Sequence, residues 1–179
     1  TLRDGLPSGY LPLGSNMTKC ELFALQRHCV DAINSFRAGR PFSDGRTRDH
    51  GELPLLELAD PKLLQCSNEK ALSDLKYSND GKGCGHHSFS LDCGLGRGAG
   101  SENSCCTRHC SSFVDCKETL SGCLQSMWDE GQKVLDTGDA KWSMATGHYH
   151  NMLSESKSVS CGFGFDNRGR MLATQQFSR

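Results

Sequence analysis

Apolar residues recur at helical intervals in three stretches of this chain. Leu22, Leu25, Cys29, Ile33 and Phe36 fall on one face, which predicts an amphipathic helix over 19–38. Thr18-Lys-Cys-Glu21 marks its start as a capping box, with hydroxyl and carboxylate taking up free N–H groups. Leu64, Ala71, Leu72 and Leu75 predict a second helix over 61–76, with Asp60 as N-cap and Pro61 at the first helical position. Ser112-x-x-Asp115 opens a third, carrying Phe113, Leu120, Leu124, Met127 and Leu135, and Gly138 closes it or its trailing loop. A short helix over 144–153 follows. The period then shortens to two: Val159, Cys161, Phe163 and Phe165 alternate as a strand. Asp166-Asn-Arg-Gly169 makes a turn, and 170–177 returns as the hairpin partner. Helices followed by a terminal hairpin define an α+β chain.

Between these elements the pattern fades. Residues 1–17 are rich in Gly, Pro and Leu without a period and read as an extended lead-in to a domain over 18–179. The stretch from Gly39 to Gly51 interleaves Arg40, Arg46, Arg48 and His50 with acids and reads as a solvated loop in preference to a basic binding patch. From Ser78 to Ser112, seven glycines and five cysteines crowd together with His86, His87 and His109. Only cross-links can hold so glycine-rich a segment in one shape. Gly94-Leu-Gly-Arg-Gly-Ala-Gly100 lacks the Gly-Lys-Ser/Thr of a phosphate loop, so no nucleotide site is assigned.

Composition sharpens the class. The chain of 179 residues holds 11 cysteines, the signature of a secreted domain stapled by disulfides. A zinc protein would show paired C-x2-C knuckles, and there are none; zinc on Cys84, His86, His87 and Cys93 is the weaker alternative. A secreted chain beginning at Thr1 is expected to have lost its signal peptide. Net charge is -1 and mean hydropathy -0.52. Phosphate-backbone binding needs a cationic surplus, so no nucleic-acid partner is expected. No apolar run is long enough to insert in a membrane. Cys20 and Cys29 lie on opposite faces of one helix, and Cys116 and Cys123 stand about 10.5 Å apart along another, beyond disulfide reach. Each must reach a different element. Eleven is odd, so one thiol is free, pairs with another molecule, or has its partner outside the chain.

Several motifs now align. Gly147-His-Tyr-His-Asn-Met152 with Ser160-Cys-Gly162 resembles the GHYTQM…GCG signature of the CAP superfamily, the cysteine-rich secretory, antigen 5 and pathogenesis-related 1 proteins. Asn34-Ser-Phe-Arg37 resembles its H-N-x-x-R element, Gly100-Ser-Glu102-Asn103 its G-E-N, and Met127-Trp-Asp-Glu130 its W-x-x-E helix. Leu64-Gln-Cys66, with Glu69 and Ala71, is similar to a helix of nematode members, the activation-associated secreted proteins. The motifs occur in family order over 18–178. The resemblance implies a three-layer α–β–α sandwich around a small, three-stranded antiparallel sheet.

It also implies a cleft of two histidines and two glutamates. Carried over, these are Glu102, Glu130 and His148, with Ile33 in place of the first histidine. One imidazole with no replacement makes a weak metal site, and His150, two residues along a helix, is turned away from His148. No metal and no cofactor are therefore expected. Ser101 and Ser104 flank Glu102 without a fixed base, so the glutamates read as structural, bonding nearby backbone and Tyr149 or Asn151. Phe36, Phe113, Met127 and Trp128 read as core. Asn16-Met-Thr18 is a glycosylation sequon. In the family the G-C-G cysteine pairs with a C-terminal segment that here holds no cysteine, which makes Cys161 the candidate free thiol.

The function implied is that of a secreted, non-enzymatic parasite effector, of the kind by which hookworms block platelet or leukocyte integrins. Its partner is a host cell-surface protein, met through the cystine-rich loop 78–112 first and 39–51 second. A lipid or sterol carrier is the alternative. A metal-dependent hydrolase using Glu102, Glu130 and His148 is the third reading.

Overall fold

Thr18 leaves its lead-in in extended backbone and starts α1 (Lys19–Arg37) with the capping box foreseen: its hydroxyl accepts the Glu21 N–H, and the Glu21 carboxylate accepts the Thr18 N–H. The structure is a computed structural model and describes residues 17–78, 93 and 100–178. Asn16, the rest of the lead-in, the His86–His87 pair and most of the cystine-rich loop lie outside the described residues. Met17, placed with the lead-in by its sequence, is buried and joins the core that runs on to Phe177.

The Asp60 carboxylate caps α2 (Pro61–Tyr77) by accepting the N–H groups of Lys62 and Leu63. Ser112 does the same for α3 (Phe113–Trp128) through Asp115 N–H. The helix expected to run through Leu135 is two helices, with α4 (Gly131–Thr137) beginning after Asp129 and Glu130. Both residues keep helical dihedrals, so the apolar period carries across the break. Gly138 ends α4 at a φ of 68°, a left-handed cap that glycine adopts without strain. The short α5 (Gly147–Met152) follows.

The sheet orders β1 (Glu57–Leu58), β3 (Ser158–Phe165), β4 (Arg170–Ser178) and β2 (Gly100–His109) as β1-β3-β4-β2. β3 and β4 form the predicted hairpin, with Val159 opposite Phe177 and Phe165 opposite Met171. β2 runs antiparallel to β4, and β1 adds a two-residue parallel edge to β3, so the sheet has four strands where three were expected. β2 was read as part of a cross-linked loop. Its Gly-Ser-Glu-Asn-Ser start carries no apolar alternation, and only pairing with β4 makes it a strand.

The even residues of β3 face α2. Ser160 donates to the Ser67 hydroxyl, and a Cβ on Gly162 would stand 2.1 Å from the Ser67 backbone. A Cβ on Gly164 would meet the backbone of Leu72 at 2.5 Å and of Ala71 at 2.6 Å, so the glycines of this strand let α2 lie directly on the sheet. The odd residues face the other way, where Cys161 bonds Cys29 of α1. The chain is thus a mixed α+β fold with helices against both faces of its inner strands, which accounts for β3 and β4 being buried throughout.

Four disulfides join described residues: Cys29–Cys161, Cys66–Cys93, Cys105–Cys123 and Cys110–Cys116. Cys106 is disulfide-bonded as well. Cys116 and Cys123 therefore do clamp other elements. The expectation of a free Cys161 is overturned: Cys161 is fully buried and bonded, and the exposed Cys20 is the free cysteine among the described residues. The inward face of β3 points Cys161 at α1, a partner that the missing C-terminal segment gave no reason to consider.

Candidate functional site

Glu130 sits where α3 gives way to α4, aimed at the first turn of α5. Thr146, the residue before α5, caps nothing with its side chain, because its hydroxyl is engaged by Ser143 at 2.8 Å. Glu130 takes over that role from across the fold. One carboxylate oxygen accepts the N–H groups of His148 at 3.0 Å and Tyr149 at 3.4 Å. The other lies 2.7 Å from His148 Nδ1. A carboxylate at a helix start satisfies orphan donors and complements the positive end of the backbone dipoles. It also fixes the ring. With Nδ1–H on the carboxylate, a neutral His148 presents Nε2 as an acceptor.

Glu102 stands elsewhere. Its carboxylate meets Lys70 Nζ of α2 at 3.0 Å and accepts from Gln176 Nε2 at 3.2 Å. Its neighbour Asn103 reaches the opposite way and donates to the His148 carbonyl of α5 at 3.2 Å. Successive strand residues point to opposite faces, so Glu102 lies across the sheet from Glu130 and His148. Asn151 of α5 donates to the Glu102 carbonyl and to the Asn103 side chain, tying α5 to β2 through backbone and amide. Ile33, where the first histidine was expected, is fully buried in the core. Of the four cleft positions, two meet. Among the described residues, no group of three or more His, Cys, Asp or Glu is placed to hold a metal ion.

His148 and Glu130 line a groove of about 430 Å³ between β2 and α3, with Arg108, Glu118, Ser126 and Met127 among its walls. His150 is not among the groove's residues; its Nε2 is buried without a hydrogen-bond partner, and its ring meets Tyr149 edge-on. The hydroxyls of Ser101 and Ser104 are likewise buried and unpartnered. Ser104 is itself among the residues lining the groove, and it pairs across the sheet with Thr174, whose hydroxyl donates to the Ser67 carbonyl of α2.

Behind α5 lies an aromatic cluster that sequence reasoning resolved only in part. Phe36 and Phe42 both stack on Trp128 at 5.3 Å, and Tyr149 tilts against Trp128 at 5.0 Å. Phe36 and Trp128 are core, as expected. The 39–51 loop is mostly exposed, as expected, but it also straps this cluster through Phe42 and His50. Phe42 is buried, Trp128 Nε1 donates to Arg40 O, and Ser43 N donates to Asp129. Arg46 bridges Asp44 and Asp136. His50 meets Trp128 and Tyr149 edge-on at 5.3 and 5.7 Å, with the Tyr149 hydroxyl 3.4 Å from its Nδ1. Burial, with help from Arg48 and against Asp49, pushes the His50 pKa below its ordinary value, while burial pushes the Tyr149 phenol up. The signal for His50 was faint: a histidine at the end of a polar run, with no period to tie it to a core.

No family model and no curated protein matches this chain. Among solved structures, the one titled "Structure of BmVAL-1" is similar over 94% of this chain and 81% of that one, with a TM-score of 0.59 at 17% identity. That protein belongs to the CAP superfamily. At this identity the likeness establishes the fold: the chain has a CAP-like arrangement of helices and sheet, rich in disulfides. No helix among the described residues is long and apolar enough to cross a membrane.

Proposed function

We propose that this chain is a secreted, non-enzymatic CAP-type effector of a parasite, built as a three-layer α–β–α sandwich, that binds a host cell-surface protein. A platelet or leukocyte integrin is the leading class of partner. The observation that carries this reading is the separation of the cleft residues. Glu102 is held by Lys70 on one face of the sheet, Glu130 caps α5 on the other, and Ile33 is core. A hydrolase using Glu102, Glu130 and His148 needs the three around one reacting atom, within about 3 Å of each partner. A lipid carrier needs an apolar cleft; the groove is apolar over much of its surface, and Arg108, Glu118, Glu130 and His148 add charged and polar groups to its walls. A framework cross-linked through α1, α2, α3 and the sheet suits recognition, because little conformational freedom remains to be lost on binding.

The test is inhibition of integrin-mediated platelet or neutrophil adhesion by purified protein. His148→Ala and Glu102→Gln, each checked for folding by circular dichroism, are expected to inhibit as the parent does. Loss of inhibition in a folded His148→Ala protein would return function to the cleft.

A further inference from the structure

We propose that the turn between α4 and α5, led by Trp142 and Met144, is the surface through which the chain engages a folded partner protein with an apolar pocket. This rests on the binding-protein reading above and assigns it a place. Trp142 is 60% exposed and Met144 87%, while the chain's other tryptophan, Trp128, is 1% exposed. The two stand two residues apart in one turn, and contiguous exposed apolar surface on a protein marks a contact site.

The turn is held in shape before any partner arrives. Gly138 caps α4 at one end, and α5 begins at the other. Between them Asp139 accepts the Lys141 N–H at 2.9 Å, and Thr146 Oγ1 accepts the Ser143 N–H at 3.2 Å. Thr146 N donates back to Ser143 O at 3.1 Å. The indole of Trp142 lies on Gly147, where a Cβ would stand 3.3 Å from the ring. A glycine thus gives the tryptophan a flat seat next to His148 and its groove. An exposed aromatic fixed in this way loses little entropy on docking, and tryptophan is the side chain most enriched at energetic centres of interfaces.

Charge decides the class of partner. Lys133, Lys141 and Arg46 around the turn are balanced by Asp44, Asp136 and Asp139, Arg46 being paired with both Asp44 and Asp136 at 2.6 Å. An anionic membrane or a phosphate backbone is recognised by a basic surplus, which this surface lacks. Apolar anchors inside a rim of both signs are how protein interfaces are built.

The experiment measures saturable binding of fluorescently labelled protein to intact blood platelets and leukocytes, by flow cytometry. Variants are Trp142→Ala with Met144→Ser, Met144→Ser alone, and Leu55→Ser as an exposed control elsewhere. All are expected to keep the parent's circular dichroism and melting temperature. The double variant is expected to bind about 30-fold more weakly, Met144→Ser to be weakened less, and Leu55→Ser to bind as the parent does. Trypsin treatment of the cells should abolish parent binding. If the double variant binds like the parent while trypsin abolishes binding, this surface is wrong and the binding-protein reading stands. If the parent binds trypsin-treated cells and phosphatidylserine vesicles equally, the partner is a membrane and the inference falls. If the parent binds neither cell type, both fall together.

Discussion

Glu130 is in reach of three donors at once, two backbone N–H groups of α5 and His148 Nδ1. Loss of this carboxylate leaves the start of α5 uncapped and the imidazole unheld. Glu130→Ala is expected to cost about 1–2 kcal/mol in urea unfolding, in the range of lost caps and charge-assisted bonds. Glu130→Gln, which keeps one acceptor oxygen, should cost less. A second residue-scale consequence concerns His50 and His28. Both have pKa values lowered first by burial and then by a nearby cation, Arg48 for one and Lys117 for the other. The folded state therefore prefers the neutral rings. Their contribution is complete above the ordinary value of 6.5 and declines as pH falls from there toward the lowered folded-state values. Unfolding free energies at pH 7.5 and 5.5 should show that decline, and His50→Gln should flatten it.

At the scale of elements, the contact of α2 with β3 depends on the absence of side chains at Gly162 and Gly164. Gly162→Ala drives a methyl into the Ser67 backbone, which cannot swing aside as a side-chain tip can. Destabilisation of about 3 kcal/mol or more is expected, the upper part of the overpacking range, readable as a fall in melting temperature with unchanged helix content. The helices were legible in the sequence because each buries one stripe against the sheet and carries its own cap: Thr18, Asp60 and Ser112 are local signals. The hairpin was legible because Asp166-Asn-Arg-Gly169 joins two alternating runs. β2 was not, since its polar start becomes buried only when β4 pairs with it and α2 and α5 cover its two faces. The break between α3 and α4 was hidden for the opposite reason, the helical period continuing through it.

Across the whole molecule the disulfides tie distant parts. Cys29–Cys161 closes a separation of 132 residues, and its removal by Cys29→Ala with Cys161→Ala is expected to cost about 2–5 kcal/mol. Alkylation of the unreduced protein followed by peptide mapping should label Cys20 among the described cysteines and leave Cys161 unmodified. The sequence by itself determined the helices, the hairpin, the cystine-rich class and the motifs that resemble the CAP superfamily, because caps, periods and spacings act over a few residues. Only the tertiary structure decided which cysteine is free, which face of the sheet Glu102 takes, and that His50 closes over Trp128 while Trp142 stands in water. Those outcomes depend on which elements meet in space. A strand's alternation or a helix's turn says that a side chain has a face, and the packing of the whole chain says what that face meets.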